Sequence, residues 1–221
     1  MTSLGAPLDT GEQPVLGRRT VGGVVIGAVV VLAASFALGG LTSFAQQYLP
    51  DTLAPLANSI SGWTMLTAAL IWLCRTPVLL SALLGAASFV LLTVGYAVVS
   101  TARGLFYDPT TWALIGVCAG PFVGAAAAGL RGPGATLRAV AGGVLAGILV
   151  GDGVRGLLVL TDTTAWEYWV AVIAIGTALV LGLAGTRLRR PQPIVLLVSV
   201  AAVVALGLNL AVALLQSLYI G

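Results

Sequence analysis

Residues 135–160 read ATLRAVAGGVLAGILVGDGVRGLLVL, an apolar run interrupted only by Arg138, Asp152 and Arg155. The run is longer than the roughly 20 residues that an α-helix needs to cross the hydrocarbon core of a bilayer. It lacks the period-two alternation of a transmembrane β-strand. The stretch therefore predicts a transmembrane helix, and it sets the interpretation of the rest of the chain.

The whole chain shares this apolar character. Of its 221 residues, 59% are hydrophobic and only 8% are charged, and the mean hydropathy is +1.08. Soluble domains are about a quarter charged. Backbone polar groups in lipid must be satisfied inside helices or closed barrels. Long unbroken apolar runs favour helices, so we predict an all-α, polytopic transmembrane helical bundle.

Seven apolar runs of about 20 residues predict seven spans. Residues 1–19 are polar and rich in Gly and Pro, and they predict a disordered cytoplasmic tail before a single transmembrane domain over residues 20–221. Pro55 and its polar neighbours leave open whether residues 45–60 are re-entrant or interfacial. The predicted spans are 21–44, 53–73, 78–100, 112–130, 135–160, 166–184 and 194–218.

The basic residues, all of them arginines, predict the orientation. With the N-terminus in the cytoplasm and the C-terminus outside, eight of the 10 fall on the cytoplasmic side, as the positive-inside rule requires. The predicted location is the cell inner (plasma) membrane. The eight are Arg18, Arg19, Arg75, Arg131, Arg138, Arg187, Arg189 and Arg190, whereas Asp51, Asp108, Asp162 and Glu167 lie outside.

The absence of lysine and histidine from the sequence excludes several chemistries. A Schiff base with retinal or pyridoxal needs a lysine amine. A histidine-ligated metal and a histidine general base are excluded as well. We predict no metal site, no cofactor and no catalytic residue, and we favour a protein that is not an enzyme.

Small residues recur every four positions in two consecutive predicted spans. Such stripes let helix backbones approach closely in a membrane. We expect the fourth and fifth helices to pack tightly, either on each other or on neighbours; a homodimer seam is the alternative. The packing residues are Gly116, Gly120 and Gly124 in the fourth span and Gly143, Gly147 and Gly151 in the fifth.

Asp152 and Arg155 are placed in the outer half of the fifth span. Their spacing of three puts them on neighbouring positions of one helix face. An unpaired charge at this depth costs about 2.5–3.5 kcal/mol. Three interpretations stay open: an internal salt bridge, a pocket or pathway that opens to the outer face, and a helix that ends early and leaves the pair interfacial.

Further polar residues are expected near the same outer face. The two longest outer connections mix aromatic and hydrogen-bonding side chains, as the rim of a solute site would. The predicted ligand-binding residues are Asp152, Arg155, Asn58, Gln46, Arg103 and Tyr107.

Five segments carry a family likeness: LTSFAQQYLP (41–50), LANSISGW (56–63), GYAVVSTARG (95–104), WALIGVCAGPFVGAAA (112–127) and LAGILVGDG (145–153). Over roughly residues 38–185, the chain resembles a family of small actinobacterial multi-pass membrane proteins that is classed only as a domain of unknown function. The resemblance implies a helical integral membrane protein with an acidic residue in the fifth span, here Asp152. It implies no activity.

Three functions are compatible with these patterns. The first is a small-solute binding or transport component with its polar site near Asp152 and Arg155. The second is a structural subunit that docks on a membrane-protein partner, or on a second copy, through the Gly/Ala ladders. The third, less favoured, is an intramembrane enzyme. We expect contact with membrane lipids and none with nucleic acid.

Overall fold

A computed structural model describes the backbone of residues 21–220 and the side chains of residues 21–217. The predicted all-α class is confirmed, because this part of the chain contains seven α-helices and no strand. The predicted tail, 1–19, lies outside the described residues. The helices are α1 (Val21–Tyr48), α2 (Ile60–Cys74), α3 (Val78–Ala102), α4 (Thr110–Gly129), α5 (Ala135–Val159), α6 (Trp166–Thr186) and α7 (Pro191–Ile220).

Six of these helices, all except α2, are long and apolar enough to cross a membrane. Their ends lie within a few residues of the predicted spans. Exposed leucine, valine and isoleucine side chains cover the outside of the bundle, as expected for helices that face lipid. The fold is that of a multi-pass membrane protein.

The predicted second span, 53–73, is not one continuous helix. A 3-10 turn over Ala54–Ala57 comes first, the chain breaks at Asn58, and α2 then runs for only 15 residues. Pro55 has no N–H to donate to a longer helix. The Ser59 hydroxyl instead accepts a hydrogen bond from the N–H of Gly62 and caps a new helix.

Helices that follow one another in the chain run in opposite directions. Residue numbers increase in the same direction along the contact between α1 and α3, from Gly39 beside Leu92 to Ser43 beside Ser100. These two helices are therefore parallel. The same holds for α5 and α7. Three pairs of neighbouring helices are antiparallel: α2 with α3, α3 with α4, and α5 with α6. Contacts within these pairs are Thr67 beside Ser88, Gly85 beside Gly120, and Gly156 beside Trp169, respectively.

This alternation gives the bundle two chemically different ends. We call one the acidic end, because it carries every carboxylate of the described residues except Asp152, together with Arg103. The other carries the remaining described arginines except Arg155, and we call it the arginine end. The acidic end holds Asp51, Asp108, Asp162 and Glu167, and the arginine end holds Arg75, Arg131, Arg138, Arg187, Arg189 and Arg190.

The two glycine stripes pack on different partners, and neither packs on the other. The stripe of α4 lies against α3, where a Cβ on Gly124 would come within 1.9 Å of the Ser81 carbonyl oxygen. The stripe of α5 lies against α7, where a Cβ on Gly147 would come within 2.6 Å of the Ala201 carbonyl oxygen. Gly116 and Gly120 complete the first contact, and Gly143 and Gly151 complete the second.

Candidate functional site

Asp152 lies between α5 and the first turn of α2, with only 1% of its surface exposed. Its Oδ2 accepts a hydrogen bond of 2.8 Å from the backbone N–H of Ser61. The first N–H groups of a helix have no partner within it, and they carry a partial positive charge. The Asp152 carboxylate of α5 therefore caps the start of α2, which is buried inside the bundle.

Hydroxyl groups surround this capped helix start. The Tyr168 hydroxyl lies 2.7 Å from Ser59 Oγ and 3.2 Å from Ser61 Oγ. The Tyr168 ring also packs edge-to-face on Trp169, with centroids 4.9 Å apart. These contacts tie α6 to the same point, so three helices, α2, α5 and α6, meet at the start of α2.

Arg155 does not pair with Asp152. In the described part of the chain no ion pair joins them, so the salt-bridge hypothesis was wrong for this structure. The two side chains leave α5 in different directions: Asp152 bonds to α2, whereas Arg155 is one turn beyond Gly151, which contacts Ala205 of α7. Arg155 is half-buried. The start of α2, and not a guanidinium, compensates the carboxylate.

A separate open groove lies at the acidic end, between α1 and α3, with a volume of about 490 Å³. Another depression of about 500 Å³ on α3 is lined almost entirely by apolar atoms, so it offers a ligand little orientation. The groove between α1 and α3 is therefore the better candidate site. Its lining residues are Ser43, Gln46, Gln47, Tyr96, Arg103 and Leu105.

Arg103 is fixed in this groove by the last turns of α1. Its guanidinium donates to the carbonyl oxygen of Ser43, to Ser43 Oγ at 2.9 Å, and to Gln47 Oε1. It also stacks over the Phe44 ring, 4.3 Å from the centroid. A guanidinium that is already ordered loses less conformational entropy when a ligand binds.

The aromatic wall of the groove is ordered as well. The Tyr96 hydroxyl donates to Gln46 Oε1 at 3.0 Å, and its ring meets Tyr107 edge-to-face at 4.8 Å. Tyr107 belongs to the connection between α3 and α4, so this contact brings that connection to the groove.

Tyr107 is expected to resist ionisation. Burial raises its pKa to about 12, and the nearby Tyr96 and Asp108 add to the effect. A group whose pKa is raised on folding stabilises the fold below its unfolded pKa, near 10, and loses that contribution as the pH rises to about 12. Ultraviolet titration of the wild type minus Tyr107→Phe should give a phenolate step near 12; a step near 10 would contradict the burial.

One backbone carbonyl connects the groove to the capped helix. The carbonyl oxygen of Ala57 accepts hydrogen bonds from Gln46 Nε2 and from Trp63 Nε1, each at 3.1 Å. Ala57 ends the 3-10 turn that leads into the break before α2. The segment 54–61 is thus held from the groove side by Gln46 and from the interior by Asp152.

The structure separates the predicted ligand-binding residues into groups. Gln46, Arg103 and Tyr107 lie in or beside the groove. Asp152 is buried against the start of α2, Arg155 is half-buried on α5, and Asn58 is an exposed residue in the break before α2. Sequence reasoning missed Ser43, Ser61 and Tyr168 as partners, because no spacing rule links residues on different helices.

The protein families provide one match. A model described as "Family of unknown function (DUF6518)" covers residues 18–217. The chain belongs to this family. Comparison with curated proteins and with solved structures gave no match. The DUF6518 match covers all the helices through residue 217, so the groove and the Asp152 cap both lie in family sequence. Among the described residues no three His, Cys, Asp or Glu side chains could hold a metal ion together.

Proposed function

We propose that the chain crosses the plasma membrane seven times, with its N-terminus in the cytoplasm and its C-terminus outside. The second crossing is the interrupted segment of the 3-10 turn and α2. The alternating helix directions support this threading, since α2 runs opposite to α3 and is joined to it by a short turn. The arginine end then faces the cytoplasm, in agreement with the positive-inside rule.

We propose further that the protein is the binding or transport component for a small polar solute that enters the acidic-end groove. The observation that carries this proposal is the ordered set of polar side chains around an open volume of about 490 Å³. Small-molecule sites combine an apolar wall with a few fixed polar groups. Here Tyr96 and Leu105 supply the wall, and Gln47 and Arg103 supply the polar groups.

The charge of Arg103 determines the class of solute that we propose. Its contacts with Ser43 and Gln47 leave part of the guanidinium fork, which matches carboxylate and phosphate groups, for a ligand. A solute with one negative or strongly accepting group and a small apolar part fits this lining. Displacement of Gln46 by such a solute would release Ala57, so binding would act on the segment before α2.

Ligand-dependent thermal stabilisation of the purified protein tests this proposal. A panel of small carboxylates, phosphates and amino acids is expected to contain a solute that raises the unfolding temperature. Gln47→Ala should weaken that solute's apparent affinity at least about fivefold, the loss of roughly one hydrogen bond. The matched control is Gln216→Ala, an exposed glutamine on α7 at the same end.

The outcomes are separable. An unchanged affinity in Gln47→Ala, or an equal loss in Gln216→Ala, would refute the groove as the binding site.

Docking of a partner through the glycine ladders is not proposed, because α3 and α7 of the same chain already cover them. No residue of the groove has a catalytic arrangement that would favour an enzyme.

A further inference from the structure

The helix N-termini have different charged neighbours at the two ends of the bundle. At the acidic end, Asp152 caps α2, Asp108 accepts hydrogen bonds from the N–H and the hydroxyl of Thr110 at the start of α4, and Glu167 lies in the first turn of α6. Carboxylates near helix N-termini are stabilising. Each helix start at that end is therefore matched by a negative charge from the chain itself.

The arginine end has the opposite character. It holds the starts of α3 and α5, whose N-cap residues, like those of α4 and α6, make no side-chain hydrogen bond to the helix. All the carboxylates among the described residues lie at the acidic end or on Asp152, so the described chain supplies none here. Six arginines and these helix starts therefore concentrate positive charge at this end.

A buried leucine in the turn between α6 and α7 holds its neighbouring arginines near the start of α5. Leu188, in the turn between α6 and α7, has no exposed surface and packs in a cluster with Ala139 and partly buried Ala135. Its neighbours Arg187 and Arg189 are exposed. The turn is thus fixed beside Arg138, which lies next to Ala139 in the first turns of α5.

Arg138 has an unused donor at this place. Its Nη2 donates to the Pro133 carbonyl oxygen at 3.2 Å, whereas its buried Nε has no acceptor in the described structure. Because the protein encloses Nε, only the terminal Nη groups of this half-buried side chain can reach a ligand from outside. A guanidinium forms its strongest hydrogen bonds with carboxylate or phosphate oxygens, so these groups suit an oxyanion.

We propose that the cluster of Arg138, Arg187, Arg189 and Arg190 is a binding site for the phosphate headgroup of an anionic phospholipid. The cluster lies at the ends of long apolar helices, where headgroups lie in the threading proposed above, and this inference shares that threading but does not depend on the groove. Anionic lipid attracts arginine at a membrane surface, and the fork geometry selects phosphate. The site is local to the α6–α7 turn and the start of α5.

Lipid titration of the full-length protein in neutral detergent tests the site. Phosphatidylglycerol should raise the unfolding temperature, whereas phosphatidylcholine and inorganic phosphate at equal concentration should not. The double variant Arg138→Gln/Arg187→Gln should bind phosphatidylglycerol about 25-fold more weakly, at about fivefold per arginine. Arg138→Lys/Arg187→Lys, which retains the charge but not the guanidinium fork, should recover only part of the affinity.

Arg75→Gln removes one positive charge at the same end away from Leu188, and its matched comparison is the single variant Arg138→Gln. The phosphatidylglycerol affinity of Arg75→Gln should equal that of the wild type. An equal loss in Arg75→Gln would show diffuse surface attraction and overturn the site. Stabilisation by inorganic phosphate alone would overturn the lipid, and a gain of affinity in Asp9→Asn/Glu12→Gln would show that the N-terminal segment occupies the cluster. A failed groove experiment would leave each of these outcomes unaffected.

Discussion

Asp152→Ala is expected to lower the free energy of unfolding by about 2 kcal/mol, a large loss for a single hydrogen bond. The substitution removes the acceptor of the Ser61 N–H and leaves that donor buried at the recessed start of α2. Asp152→Asn keeps an acceptor oxygen and should lose about half as much. Equilibrium unfolding in mixed detergent micelles, followed by circular dichroism, measures both values.

Combination with Arg155→Ala separates the cap from an ion pair. Because Asp152 bonds to the Ser61 N–H of α2 and not to Arg155, the two alanine substitutions should have additive effects. A salt bridge would instead make the double variant more stable than Asp152→Ala alone, since the second change would remove a stranded charge. Such a rescue would refute the assignment of Asp152 as a helix cap.

Gly124→Ala is expected to be at least as damaging, at about 3 kcal/mol. The added Cβ would lie 1.9 Å from the Ser81 carbonyl oxygen and 3.1 Å from the Gly85 Cα, both on α3. These are backbone atoms, so the two helices would have to separate along their whole contact. The unfolding midpoint in detergent and the yield of monodisperse protein measure the effect.

Gly207→Ala provides the matched control in α7. Nothing lies within 4 Å of a Cβ at that position, and alanine favours a helix over glycine by up to about 1 kcal/mol. This variant should be as stable as the wild type or more stable. If Gly124→Ala were equally well tolerated, the close approach of α3 and α4 would be contradicted.

The long helices could be predicted from the sequence because each one is a long, mainly apolar run with few charged residues. Helix α5 is an example: the predicted span 135–160 differs from Ala135–Val159 by a single residue. Lipid requires a complete helix wherever the chain faces it. Hydropathy and helix length therefore carry most of the fold.

The break between the 3-10 turn and α2 could be predicted only in part. Pro55 and the polar residues around Asn58 indicated an irregular start, but a hydropathy run does not show where a helix begins. The start of α2 depends on Asp152, about 90 residues away in sequence. Gln46, Arg103 and Tyr107 were predicted together because all three lie near span ends, whereas the pairing of Asp152 with Ser61 needed the three-dimensional packing.

Labelling of single cysteines on the two sides of α2 tests the interrupted crossing most directly. In a background without Cys74 and Cys118, Thr52→Cys and Pro77→Cys place thiols at exposed positions before the 3-10 turn and after α2. In intact cells, a membrane-impermeant maleimide should modify Thr52→Cys at once and Pro77→Cys only after permeabilisation. Modification of both thiols from the same side would show that residues 53–76 do not cross, and it would contradict both the threading and the role of Asp152 as an interior cap.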